Sequence, residues 1–238
     1  MRALLLALPL VLHAQVCDPA KFAGTYGFQL SGVTTISGDP KPTTALGRLI
    51  FDGHGSLSGN SSSMFAGYLL GNPVTGSYEF KSDCTLTWKL QDDSGGWQNF
   101  TGVMASDLSR AQFRQASLGG PHRGTLTRSA DRCTAKDLQK RYTYTIGGNT
   151  TPMVEGDNSR TVNASGTVDV ARNGTFSVDS DCSVTFDLVL LGPDQRLTSL
   201  HMRGILVNAG REILAIQTDP GAMVAARFNA VAPPAPQP

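Results

Sequence analysis

Gly76-Ser77-Tyr78-Glu79-Phe80-Lys81-Ser82-Asp83-Cys84-Thr85-Leu86-Thr87-Trp88 returns without a gap as Gly174-Thr175-Phe176-Ser177-Val178-Asp179-Ser180-Asp181-Cys182-Ser183-Val184-Thr185-Phe186, at an offset of 98. Outward from it, Cys17 with Tyr26, Phe28, Leu30 and Gly32 is echoed by Cys133 with Tyr142, Tyr144, Ile146 and Gly148, at an offset of 116. A unit that occurs twice, each time with two matched cysteines, predicts tandem β domains with a disulfide apiece. The same duplication marks these residues as mostly architecture, so no specific biochemical function is written in them.

Period-two alternation gives the strands. In Thr25–Ser31, Tyr26, Phe28 and Leu30 face one way and Gly27 and Gln29 the other. Cys84, Leu86, Trp88 and Leu90 share a face, as do Cys182, Val184, Phe186, Leu188 and Leu190. These are half-buried antiparallel strands, and each cysteine lies in phase with the apolar side. Turns fall at Asp52-Gly53-His54-Gly55, a strong hairpin signal, and at Asn72-Pro73, Asp92–Gly96, Gly119-Gly120-Pro121, Asn173-Gly174, Gly192-Pro193 and Asp219-Pro220-Gly221. Helix is limited to single turns near Lys21–Ala23 and Asp137–Lys140.

Of the three connectivities open to four cysteines, Cys17–Cys84 with Cys133–Cys182 is favoured, because it alone keeps each bond within one repeat. A metal site is disfavoured by the lack of any Cys-x-x-Cys spacing. Residues 1–14 read as a signal peptide: Arg2, then the apolar Ala3–Leu12, then a cut after Ala14. The apolar run is too short to span a bilayer, so no transmembrane segment is expected there. Lipidation of Cys17 is disfavoured by Val16 before it and by its counterpart Cys133. Export to an oxidising compartment follows, secreted or periplasmic.

The plan is then 15–128 for the first β domain, 129–132 for a linker, 133–229 for the second and 230–238 for a disordered Pro-rich tail. The first unit has room for about eight strands and the second for seven or eight. The second is shorter between its cysteines and has no clear version of the Asp52-Gly53 hairpin. The fold class expected is all-β, two tandem antiparallel up-and-down barrels of about eight strands each, with two β-sandwiches as the alternative. An immunoglobulin sandwich fits poorly, because Cys17 precedes the first strand and Trp88 follows the second cysteine.

Gly24–Gly32, Gly47–Gly59 with its Phe51-Asp52-Gly53 hairpin, Thr75–Tyr78 leading to Asp83-Cys84, and Ile213–Gly221 together resemble a group of exported bacterial proteins. The resemblance implies small eight-stranded barrels related to the allene oxide cyclase barrel and, more loosely, to calycins. Its motifs are turn glycines and an Asp-Cys pair, which specify shape, and no catalytic residue is carried over.

Net charge is +1 with 16% charged residues, which leaves no electrostatic footprint for nucleic acid. His54, His122 and His201 share no repeat position and no ligand spacing, so no metal and no cofactor are expected. His201, in an apolar strand, reads as partly buried and hydrogen-bonded. Asp83 and Asp181 read as Asx-turn carboxylates rather than as catalytic groups. No nucleophile elbow, phosphate loop or dinucleotide fingerprint occurs. Sequons such as Asn60-Ser61-Ser62 arise readily in Ser- and Thr-rich strands, and the bacterial resemblance argues against their use.

The aromatic residues Tyr26, Phe28, Tyr78, Phe80 and Trp88 on the apolar faces of the first unit are the candidate ligand-binding set. A barrel of eight strands either fills with side chains or holds one small ligand, and filling is favoured. Trp97, beside a Gly-Gly turn, is expected to be exposed. The leading function is a secreted, non-enzymatic binding or interaction protein, with a small apolar ligand in the first barrel as its sharpest form. An isomerase or cyclase on a lipid-derived substrate is the alternative by resemblance; a structural or adhesive module without a pocket is the third.

Overall fold

Alternating apolar and polar side chains build fifteen strands among the described residues of this computed structural model, which are 16–36, 39–92, 95–116, 122–151, 159–191 and 197–232. Residues 1–14, read from sequence as a signal peptide, and residues 233–238 of the tail lie outside them, as do the expected turns at 93–94, 119–121 and 192–193. The first unit is β1 (Gly24–Ile36), β2 (Asp39–Phe51), β3 (Ser56–Phe65), β4 (Tyr68–Phe80), β5 (Thr85–Asp92), β6 (Trp97–Met104), β7 (Arg110–Gln115) and β8 (Arg123–Arg128). Each strand pairs antiparallel with the next, and β1 pairs with β8, closing an up-and-down barrel. Closure leaves no free edge around the ring.

One turn differs from the sequence reading. Asn72 and Pro73 lie inside β4, opposite Ser61 and Asn60 of β3. Proline is tolerated there because β5 ends with Asp92 opposite Val74, so Tyr68–Pro73 has a neighbour on one side only. The β3–β4 hairpin therefore projects beyond the barrel, with Tyr68, Leu69 and Leu70 exposed at its tip.

The second unit is β9 (Arg141–Thr150), β10 (Arg160–Asp169), β11 (Gly174–Val178), β12 (Ser183–Leu191), β13 (Leu197–Val207), β14 (Glu212–Gln217) and β15 (Ala222–Ala230). Their order in the sheet is β10-β9-β15-β14-β13-β12-β11. All-β tandem units are thus present, but the second is a curled sheet of seven strands rather than a second closed barrel of eight. The β9–β15 pair matches the β1–β8 closure, and the repeat aligns β11 with the last residues of β4. What the second unit lacks is a counterpart of β3 and of the first half of β4. The cysteine separations, 67 and 49 residues, differ by 18, and most of that shortening falls where residues 56–75 have no counterpart.

Disulfides join Cys17 to Cys84 and Cys133 to Cys182, all four residues buried at the rims of their own cores. Among the described residues the helical content is two single 3-10 turns, Pro19–Lys21 and Ala135–Asp137, each just after the first cysteine of its unit.

The two units dock by the outer faces of their sheets. Leu46 and Met64 of the barrel meet Ile205, Val207, Leu214, Ile216 and Met223 of the open sheet. This explains why Glu212–Gln217 reads as a nearly continuous apolar run. Ile213 and Ala215 fill the second core, while Leu214 and Ile216 cover the barrel, so every residue of β14 is buried. Gln29 crosses the seam, its Nε2 donating to the carbonyls of Ala215 (2.8 Å) and Ala226 (2.9 Å). The linker is part of the contact: Ser129 Oγ donates to the Leu206 carbonyl, and Asn208 N to that of Arg128.

Candidate functional site

The duplicated residues build duplicated hydrogen-bond nodes. Cys84 and Cys182 both adopt left-handed backbone (φ 67° and 68°), a strained state for a residue with a β-carbon, in the turn before β5 and β12. Asp83 Oδ1 accepts from Thr85 N (2.9 Å) and Asp181 Oδ1 from Ser183 N (3.0 Å), the Asx geometry that offsets that strain. The Thr85 bonds hold the Asp83 carboxyl below the usual carboxylate range, so it is an ionised acceptor and a poor proton donor. Tyr26 and Tyr142 repeat in the same way, donating to the carbonyls of Leu108 (3.1 Å) and Gly210 (2.9 Å).

The five aromatic residues singled out in the first unit are brought together, in two stacks. Tyr26, Tyr78 and Phe80 pack around Phe22 and Phe51 at one end, with ring centroids 4.5–5.5 Å apart. Phe28 and Trp88 pack with Phe100 and Phe113 in the middle. Burial pushes the hydroxyls of Tyr26 and Tyr78 up, keeping both protonated. The space left at the other mouth, beside Phe28, Leu70 and Val74, is about 50 Å3. Small-molecule sites span roughly 300–1,000 Å3, so this is room for water at most.

His54 sits in the Asp52–Gly55 turn, and His122 is buried with its Nε2 3.1 Å from Thr34 Oγ1. His201 departs from the sequence reading: its side chain is 58% exposed, because its strand position faces outward. It is hydrogen-bonded as expected, with Nδ1 2.5 Å from Asp219 Oδ1, and that bond raises its pKa above the ordinary 6.5. Among the described residues no three His, Cys, Asp or Glu side chains converge to hold a metal. Trp97 is exposed, as its turn context predicts.

Docking of the units brings polar side chains of both to one place. Beside the apolar seam runs a groove of about 420 Å3. Its barrel wall is formed by β2, β3 and β4, with Arg48 and Asn60 on the outer face and Ser61 and Asn72, in phase with the inward Leu57 and Val74, at the barrel mouth; its other wall is β12 and β13 with the turn before them, carrying Asp179, Asp181, Thr185 and Arg203. The apolar side chains Leu46 and Ile205 beside it are themselves buried. Arg203 reaches across, its Nη1 donating to Ser62 Oγ at 2.9 Å, and Arg48 Nη2 donates to the Asp131 carbonyl at 2.9 Å. Among the described residues, neither guanidinium has a carboxylate within ion-pair distance. A second arginine pair behaves differently: Arg110 and Arg227 converge on buried Glu212. Arg110 bonds its Oε2, and Arg227 Nε stands 3.2 Å from Oε1, close enough for charge pairing but not aligned for a hydrogen bond.

Sequence reasoning missed the groove. Arg48 and the Asn60-Ser61-Ser62 run stood in stretches read for other reasons, and Asp181 was read for its turn alone. Their one signal was polar residues among the outward positions of β2 and β3, such as Arg48 and Asn60, which alternation cannot tell from an ordinary wet face.

No protein-family model matches this chain, and no curated protein matches it. Solved structures similar to it include intact TbpB with its N and C lobes (9% identity, TM-score 0.28, covering 89% of this chain and 77% of that one). Another is a Bacteroides fragilis protein assigned to the outer membrane (11% identity, TM-score 0.24, 90% and 99%). A third is transferrin binding protein B of Haemophilus parasuis, as a Trp-to-Ala mutant (9%, 0.24, 87% and 75%). Scores this low establish neither a shared fold nor a shared ligand.

Proposed function

We propose that this chain is a non-enzymatic binding protein working outside the cytoplasm, built as units 15–128 and 133–229, and that it takes its ligand in the groove between them. The carrying observation is the contrast between the candidate spaces. The barrel interior keeps about 50 Å3 beside its packed rings, and the open depressions of about 420 and 490 Å3 along β4–β8 draw their walls from one unit, whereas the groove offers about 420 Å3 with polar walls drawn from both. An apolar ligand in the barrel would have to displace rings already in contact with one another. Two disulfides support an oxidising, extracytoplasmic setting. The ionised Asp83 and the protonated Tyr26 and Tyr78 are held in architectural bonds, which supports binding over cyclase or isomerase chemistry.

Native mass spectrometry of the disulfide-intact protein, purified from its own host, tests this. A retained small molecule that Arg203→Ala releases and Trp88→Phe keeps is the expected result. Release by Trp88→Phe with retention in Arg203→Ala would place the ligand in the barrel instead.

A further inference from the structure

We infer that the groove ligand is an acidic glycan, a hydroxyl-rich chain whose carboxylate is held by Arg48 and Arg203; this rests on the groove being the binding site. Three observations carry it. The walls are largely sheet faces, whose backbone N–H and C=O groups are used in the β2–β3–β4 and β12–β13 ladders, the exception being residues 71–73, which pair with β3 alone. An extended peptide would find only residues 71–73 of β4 as a strand edge, a short stretch that includes a proline without an N–H, and must be recognised mainly by side chains. Those side chains are amides, hydroxyls, carboxylates and guanidinia, with the apolar neighbours Leu46 and Ile205 buried, which excludes a lipid tail.

The charges complete the argument. Arg48 and Arg203 each donate to a neutral oxygen and lack a carboxylate partner among the described residues, in contrast to Arg110 and Arg227 on Glu212. A guanidinium presents a planar fork of donors that suits a carboxylate. Asn60, Thr185, Asp179 and Asp181 supply the mixed donors and acceptors that hydroxyl groups need. A ligand with one anionic group among many hydroxyls satisfies both sets; a purely anionic one would face Asp179 and Asp181 unfavourably.

The test uses the intact oxidised chain and three probes: a short oligogalacturonide, its methyl-esterified form and citrate. Two-dimensional amide NMR locates binding, and titration calorimetry measures it. Oligogalacturonide is expected to shift the amides of Asn60, Ser183 and Arg203, and esterification or Arg203→Gln to weaken it about tenfold or more. Arg203 is exposed, so the variant is expected to fold, and retained near-UV circular dichroism checks that. Equal binding of the ester, an unaffected Arg203→Gln, tighter binding of citrate, or no groove shift with any probe each overturns the acidic-glycan assignment. Ester binding that still shifts groove amides leaves the groove standing as the site. Shifts confined to Phe28, Trp88 and Phe100 would overturn the groove itself.

Discussion

Gly27 of the closed barrel lies so close to Val207 of the open sheet that a β-carbon on Gly27 would fall 2.5 Å from Val207 Cγ1. Ile205 and Leu214 crowd the same point, at 3.3 and 3.5 Å. The missing side chain is what lets β1 seat against β13 and β14.

Gly27→Ala is therefore expected to cost about 1–3 kcal/mol, by overpacking the seam and prising the units apart. Gly71→Ala, whose β-carbon would meet only Ser62 Oγ at 3.9 Å, is the matched control and is expected to be near neutral. Urea unfolding of both variants checks this, and equal midpoints would show that the seam relaxes freely.

Removing Glu212 should hurt more than removing either of its partners. Its side chain is 2% exposed between Arg110 and Arg227, and burial already presses the Arg227 pKa downward. Glu212→Gln leaves two guanidinium charges facing each other, at a cost on the order of 3 kcal/mol. Arg110→Gln, on the more exposed side of the cluster, is expected to cost less. Thermal unfolding of the two variants ranks them.

The disulfides close loops with separations of 67 and 49 residues. In the chain-entropy model each contributes about 4 kcal/mol, so replacing either pair with alanine is expected to cost a similar amount. The second unit has the greater need, having no closed ring. Limited proteolysis should open Arg141–Ala230 first when Cys133 and Cys182 are replaced; cleavage within the barrel first would contradict this.

His201 and Asp219 form an exposed pair with a definite pH signature. The hydrogen bond and charge of Asp219 raise His201 above its ordinary 6.5. Burial pushes Asp219 up, but bonds from Gln217 and His201 outweigh it and hold the carboxyl below its ordinary 3.8. The His201 contribution is thus fully present below the unfolded imidazole value and is lost as pH rises through the raised one. The Asp219 contribution is present above the unfolded carboxyl value and is lost as pH falls through the depressed one, so both act in the acid-to-neutral interval between. An NMR titration of the His201 ring should show a midpoint above 6.5 that falls toward it in Asp219→Asn; an unmoved midpoint would mean the pair does not form in solution.

Much of the fold was legible because duplication shows which features recur. The repeat paired the cysteines, and alternation put Tyr26, Phe28, Trp88 and Phe186 inside. The second unit's incompleteness was legible only as a shorter cysteine spacing and a missing Asp52-Gly53 hairpin. The groove was not legible, since Arg48, Ser62 and Arg203 look like any solvated strand residues until another sheet covers the positions beside them.

Sequence alone indicated the local matters: most strands, the face most of their residues take, and the favoured pairing of the sulfurs. Those depend on backbone period and on contacts within one repeat, so the order of residues encodes them directly. Tertiary structure decided that Gln29 and Glu212 are buried and that Arg48 and Arg203 flank one groove. An outward face carries the same alternation whether water or a neighbouring sheet lies against it, and only docking distinguishes the two.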